Sequence, residues 1–214
     1  MRRTCLSAAV IWVLVSMFTL PAGAAIIQVP DPGNGIVSIQ DGIDAAGDGD
    51  EVVVAPGTYG NINFNGKAIT LRSEDGPDTT VIEGNAIFVN VVTLANGEGA
   101  DSVLRGFTVR KGMMASCIVL NGASPIIEEN VIEYGSSLDT GSGIKLFGSQ
   151  AVIRNNVIRS NTVARMGAGG GPIKGGGLYV SNGAPLIENN FILDNVQSCG
   201  VGFCMNAYGA GIYV

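Results

Sequence analysis

Histidine is absent from the 214 residues, which removes the commonest general base and metal ligand near neutral pH. The groups that remain suited to chemistry fall in a few places. Asp48-Gly49-Asp50-Glu51 offers carboxylate oxygens of the kind that hold calcium, although the same run reads as a turn feeding a strand. Calcium is the one cofactor kept open, and no other metal is expected. Lys145, Tyr179 and Tyr213 occupy like positions in the short phrases GIKL, GLYV and GIYV, with Val119 ahead of them in CIVL. Arg165 and Lys174 add cations between these phrases. Rings beside cations suit a sugar chain, whose apolar faces rest on aromatic surfaces while its hydroxyls or carboxylates take hydrogen bonds. An aromatic ladder that merely shields strand backbone is the competing reading. Cys199 and Cys204 flank Gly-Val-Gly-Phe. In an oxidising compartment they are expected to form a disulfide, worth about 2 kcal/mol for so small a loop. Cys117 reads as a buried, unpaired thiol.

These residues need a scaffold, and a twelve-residue phrase that occurs three times supplies it: SPIIEENVIEYG from Ser124, QAVIRNNVIRSN from Gln150 and APLIENNFILDN from Ala184. Isoleucine recurs at Ile127, Ile153 and Ile187, and again at Ile132, Ile158 and Ile192. Asparagine recurs at Asn130, Asn156 and Asn190, with a second pair at Asn161 and Asn195. A weaker copy over Asp101 to Lys111 aligns Val103 and Thr108 with the apolar columns and Gly106 with the asparagines. The CIVL, GIKL, GLYV and GIYV phrases lie upstream of these copies. The segments are short, rich in β-branched residues and bounded by Gly, Asn, Ser and Pro, which is strand chemistry. Glycine is too frequent for a helical repeat.

The predicted fold is therefore all-β, a solenoid in which each coil contributes two or three short parallel strands. Equivalent residues on successive coils then sit about 4.8 Å apart, so isoleucines stack inside and asparagine amides bond one another in ladders. Turn preference alone accounts for single asparagines but not for a register held over three coils. Outward charges alternate between coils: Glu128 with Arg154, Glu133 with Arg159, Arg105 with Glu129. Such exposed pairs are worth only about 0.2–1 kcal/mol each.

Residues 1–24 read as a signal peptide: Arg2 and Arg3, an apolar run from Leu6 to Leu20, then an Ala22-Gly23-Ala24 cleavage pattern. A retained anchor is the alternative, but the run is short for a membrane span, and none is expected after removal. The processed chain, 25–214, would be secreted or held at the cell surface. It would keep ten basic residues against eighteen acidic, a formal charge of −8. That excludes nucleic acid as a partner bound by counterion release. Beyond Thr140 five basic residues face two acidic ones, so an acidic polysaccharide could be received locally, unless Arg154 and Arg159 are consumed in the charge ladder.

From residue 25 the chain opens with an extended Ile26 to Val29, then a turn. Ser38 starts a short amphipathic helix with Ile39, Ile43 and Ala46 on one face. This stretch, about 25–50, is expected to cap coils running over about 51–214. The runs IQDGIDAAGDGDEVVVAPGTY, KAITLRSEDGPDTTVIEG and VVTLANGEGADSVLRGFTV, followed by the GGGLYV and PLIENN phrases, resemble secreted right-handed parallel β-helix repeat proteins of the pectate-lyase-like superfamily. The resemblance implies that fold for essentially all of 25–214. It implies no single activity, because the superfamily holds polysaccharide lyases, glycoside hydrolases, esterases and adhesins. Its enzymes use aspartate clusters, yet beyond residue 101 this chain has only Asp139 and Asp194, and no catalytic residue carries over.

The expectation is an exported carbohydrate-binding or structural surface module. A polysaccharide lyase or glycoside hydrolase acting on an acidic polysaccharide such as pectin is the alternative. Equal stretches at Thr162 to Gly176 and Val196 to Ala210 are expected to project as loops walling a groove beside the tyrosines. The last coil breaks off at Val214 without the asparagine phrase that should follow, which reads as a truncated solenoid.

Overall fold

The computed structural model describes residues 23–138, 140–165, 172–199 and 207–214. Most of the predicted signal peptide, Asp139 and the Cys199–Cys204 pairing lie outside the described residues. The chain winds as a right-handed parallel β-helix. Among the described residues three long parallel sheets run along it, of seven, six and six strands, with a three-stranded and a two-stranded sheet added at one corner.

One coil shows the pattern. Ile118–Asn121 lies in one six-stranded sheet, Ile126–Glu128 in the seven-stranded sheet and Val131–Glu133 in the other six-stranded sheet. Ile144–Phe147 then pairs back onto Ile118–Asn121, residue for residue. Side chains alternate in and out along each strand, so every second residue faces the axis. Ile153 pairs with Ile127 on one side and Ile187 on the other, and Ile158 with Ile132 and Ile192. Ile127, Ile132, Ile153 and Ile158 are fully buried. Ile144, Leu146 and Leu178 likewise point inward and are buried, whereas Ile212 and Val214, in the same columns, are exposed.

The corners are built by polar ladders. Asn130 Nδ2 donates to Asn156 Oδ1 at 3.2 Å, and Asn156 Nδ2 to Asn190 Oδ1 at 3.0 Å. Asn161 donates to Asn195 in the same way at 3.0 Å. The residue before each asparagine of the first ladder is left-handed: Glu129 (φ 56°), Asn155 (56°) and Asn189 (54°). Gly106 (φ 77°) belongs to this left-handed column, not to the asparagine column that the sequence alignment assigned it. The strand registers Ile127–Leu104 and Ile132–Val109 place Phe107 opposite Asn130, and the Phe107 N–H donates to Asn130 Oδ1 at 3.0 Å. The first copy is one residue out of step because the coil before Asn130 repeats after 23 residues, not 24. Glycine suits position 106 twice over: its φ is left-handed, and a Cβ there would lie 2.6 Å from Ser73 Oγ.

The cap forms as its sequence dictates, with one addition. Helix α1 (Ile39–Ala45) starts at a complete capping box, Ser38 accepting from the Asp41 N–H while Asp41 accepts from Ser38. These bonds hold the Asp41 carboxyl below the usual aspartate range, the Ser38 side chain being the largest cause. Ile39 and Ile43 are buried against the first rungs. Ile26–Val29, expected within the cap, is already a strand paired with Glu51–Val54. Lys67 closes the other end of α1, its Nζ donating to the carbonyls of Ile43, Asp44 and Ala46 at 2.7 Å each. Three carbonyls at the helix C-terminus, that of Ile43 also accepting from the Ala46 N–H at 3.2 Å, thereby meet a cation where the helix end favours one. Lys67→Met is expected to destabilise the cap by about 1–2 kcal/mol. Hydrogen exchange should show α1 amides losing protection while the Asn156 coil keeps its own, and unchanged α1 exchange would refute this role.

Candidate functional site

One six-stranded sheet carries the candidate site on its outer face. Its register sets Thr93, Val119, Lys145, Tyr179 and Tyr213 in a single outward column, each residue one coil from the next. Because the coil spacing is close to ring-stacking distance, identical side chains at like positions lie face to face. The Tyr179 and Tyr213 rings are 5.6 Å apart and inclined by only 10°. The sequence expectation of a tyrosine column beside a lysine therefore describes this face.

Lys174 joins the column from the corner. It lies on Ile173–Lys174, which pairs with Ala207–Tyr208. Its ammonium sits 4.4 Å from the Tyr213 ring centre and donates to the Tyr213 hydroxyl at 2.9 Å. This hydrogen bond raises the Lys174 pKa above the ordinary lysine value, so the cation persists through neutral and mildly alkaline pH. Tyr208 leans on Tyr213 at 6.3 Å. Phe147 meets Tyr179 edge-on at 5.8 Å, with the Lys145 ammonium 5.3 Å from the Phe147 ring. Sequence reasoning missed both added rings. Phe147 stands two residues beyond Lys145 on the same outward face, so the alternation would have revealed it had the phrase been read one residue further. Tyr208 carried no signal, since its position depends on the pairing of two stretches that have no repeat pattern.

Arg165 is placed elsewhere. It ends the strand Thr162–Arg165, in the three-stranded sheet and in register with Cys199. The stretches expected to project as loops are thus partly paired strand: Thr162–Arg165 with Val196–Cys199, and Ile173–Lys174 with Ala207–Tyr208. They stack because both begin one residue after a ladder asparagine, and the Val196 N–H donates to the Asn161 carbonyl at 2.8 Å. Arg154 and Arg159 are engaged as the charge pattern predicts, with Glu128 at 2.7 Å and Glu133 at 2.8 Å.

The acidic run at Asp48 to Glu51 is spent on the fold. Asp48 accepts from the Ala68 N–H at 2.9 Å, Asp50 from the Ala25 and Gly47 N–H groups at 2.8 Å each, and Glu51 from Arg72. Backbone donors, that of Ala25 first, hold the Asp50 carboxyl below its usual range. Among the described residues no group of three or more Cys, Asp or Glu side chains converges as a metal site. A hollow of about 390 Å³ opens on the seven-stranded sheet between Arg72 and Arg105. Its guanidiniums already pair with Glu51 and Glu129. Cys117 is fully buried and unpaired, and burial pushes its thiol pKa up to about 12. It therefore acts as a small neutral filler, not a nucleophile. Among the described residues no helix is long and apolar enough to cross a membrane.

Comparison with known proteins adds the following. The family described as right handed beta helix region matches residues 41–214. No curated protein matches the sequence. Among solved structures, a pectin methylesterase in complex with a hexasaccharide superposes with a TM-score of 0.43 at 11% identity, over 84% of this chain and 69% of that one. Pectin methylesterase PemA from Erwinia chrysanthemi superposes with a TM-score of 0.41 at 11% identity, over 86% and 71% of the two chains.

Proposed function

This chain belongs to the right-handed β-helix family, and on that premise we propose that it is an exported protein whose Lys145–Tyr179–Tyr213 face binds a polysaccharide. The single observation that carries the proposal is the outward tyrosine stack with the Lys174 ammonium clamped on Tyr213. Two parallel, stacked rings held by backbone register form a platform that costs little side-chain entropy to order, because neighbouring coils already order it. Pyranose rings present C–H faces to such a platform, while Lys145 and Lys174 stand at its sides for hydroxyl or carboxylate groups. A pairing of cations with rings favours chains that carry uronic acids or other anionic groups over neutral ones. Export rests on the pattern of residues 1–24, and N-terminal sequencing of the protein recovered outside the cell should begin at Ala25.

The test is affinity electrophoresis and calorimetry of the 25–214 chain against acidic and neutral polysaccharides, with and without calcium, followed by assays for new reducing ends and unsaturated products. Tyr179→Ala is expected to weaken binding at least about tenfold, equivalent to about 1.4 kcal/mol, while Tyr179→Phe keeps most of it. Affinity untouched by both Tyr179→Ala and Tyr213→Ala would reduce the stack to a shield for strand backbone. New chain ends would replace the binding module by a lyase or hydrolase.

A further inference from the structure

Two loops on the same face carry a feature that the tyrosine platform does not use. Phe88 and Met114 both have left-handed backbone, at φ 63° and 55°, and both are exposed, Phe88 by 67%. Left-handed backbone is costly for a bulky residue. Elsewhere the chain fills many such positions with glycine or asparagine, as at Gly122, Gly148 and Asn182, and others with polar-tipped side chains, as at Lys111, Glu129 and Tyr134. Here it places a large apolar side chain there instead, and leaves it facing solvent where packing returns little. The loops hold each other in this arrangement: Ile87 bridges Met113, and the Phe88 N–H donates to the Met113 carbonyl at 2.8 Å. Residues kept in unfavourable backbone without a packing return mark functional sites.

Phe88 and Met114 line one cleft of about 280 Å³, whose other walls include Val119, Lys145 and Phe147. Val119 and Lys145 belong to the outward column that continues into Tyr179, and Phe147 touches Tyr179 edge-on. The cleft is thus the continuation of the proposed polysaccharide face, one to two coils further along it. Its chemistry differs from that of the tyrosine platform. Phe88, Phe147, Met114 and Val119 give the cleft an apolar stretch beside the polar Asn90, Asn121, Ser137 and Thr140, so a bare sugar would find hydrogen-bond partners there and leave the apolar stretch uncovered. An aromatic or acyl group suits that stretch, through edge and face contacts with phenylalanine and contact with the methionine sulfur. The volume lies just below the range of whole small-molecule sites, about 300–1,000 Å³, which fits a substituent better than a complete ligand.

We propose that this cleft receives an aromatic acyl group esterified to the bound polysaccharide, so that the protein selects acylated over bare chains. The proposal rests on the polysaccharide-binding reading of the adjoining face. A matched pair of oligosaccharides tests it, one carrying a single benzoyl or cinnamoyl ester and the other its saponified counterpart, with methyl cinnamate as a third probe. The ester is expected to bind about tenfold tighter than its saponified partner. Phe88→Gly and Met114→Gly should each remove that preference and leave the saponified chain bound as before. Glycine adopts the left-handed backbone freely, so both variants should melt at or above the wild-type temperature, which separates lost contacts from lost fold. Tyr179→Ala should weaken both oligosaccharides alike and preserve their ratio. Equal affinity for the pair, or a preference that survives both glycine variants, overturns the proposal. Should neither oligosaccharide bind, the polysaccharide reading fails and methyl cinnamate decides the cleft alone. Saturable binding lost in Phe88→Gly supports it, and no binding, or binding retained in that variant, overturns it.

Discussion

Replacing Asn156 by alanine is expected to destabilise the chain by roughly 3–5 kcal/mol, a large fraction of the stability of a domain this size. Asn156 is fully buried at the centre of its ladder. Its Oδ1 accepts from the Asn130 N–H at 3.0 Å and from Asn130 Nδ2 at 3.2 Å. Its Nδ2 donates to the Ile127 carbonyl at 2.9 Å and to Asn190 Oδ1 at 3.0 Å. Truncation leaves the buried Asn130 N–H without its acceptor and takes a donor from the Ile127 carbonyl on that same coil and from Asn190 Oδ1 on the next, at about 1–3 kcal/mol for each group left unpaired. Asn190→Ala should cost less, because Asn190 is only half-buried and its Nδ2 bond to the Glu188 carbonyl is exposed, so that the main loss is the acceptor of the Asn156 N–H and Nδ2. Urea unfolding followed by circular dichroism gives both values. A loss below about 1 kcal/mol for Asn156→Ala would mean that water or local shifts replace the amide, and that the ladder specifies the coil without stabilising it. The Asn130/Asn156 double variant should lose less than the sum of the single ones, since the two amides share bonds.

Gly143→Ala is expected to cost about 3 kcal/mol although its change is a single methyl group. A Cβ at Gly143 would lie 2.3 Å from the Gly177 carbonyl oxygen and 2.9 Å from Asn161 Nδ2. Neither neighbour can yield. The Gly177 carbonyl accepts the Ile144 N–H at 2.8 Å, and Asn161 Nδ2 donates to the Ile132 carbonyl and to Asn195. Overpacking where nothing relaxes sits at the upper end of the usual range, about 1–3 kcal/mol. Gly99→Ala, whose Cβ would meet nothing within 4 Å, is the matched control and should be nearly neutral. Equal unfolding midpoints for the two variants would show that the coil breathes enough to admit the methyl group.

The same column explains a substitution that the repeat left unexplained. Gly143 and Gly177 each face a ladder amide, Asn161 or Asn195. One coil earlier the ladder position is Gly135, whose N–H donates to Asn161 Oδ1 at 2.9 Å, and the glycine of the column is replaced by Cys117. The thiol lies 3.4 Å from the Glu133 carbonyl and 3.9 Å from Asn161 Oδ1, in the space that an asparagine amide takes on the following coils. Glycine with asparagine and cysteine with glycine are two ways of filling one volume.

Much of this protein was determined by its sequence alone. Periodic isoleucines, strand-length apolar phrases and asparagines in fixed columns specify a parallel solenoid, because stacking repeats like residues on like and alternation sends one set inward. The Ser38 cap, the charge pairs across coils and the outward run Val119, Lys145, Tyr179, Tyr213 follow from the same two periods. Tertiary structure alone decided the rest. Whether a copy repeats after 23 or 24 residues depends on which residue turns left-handed, and that moved Gly106 out of the asparagine column. Phe88 and Met114 come from two loops with no repeat between them, Tyr208 from a strand with no apolar pattern, and Arg165 leaves the face on which its charge was expected. These positions are set by backbone hydrogen bonds to a neighbouring coil some 23–34 residues away, and such bonds pair peptide groups whatever side chains those peptides carry.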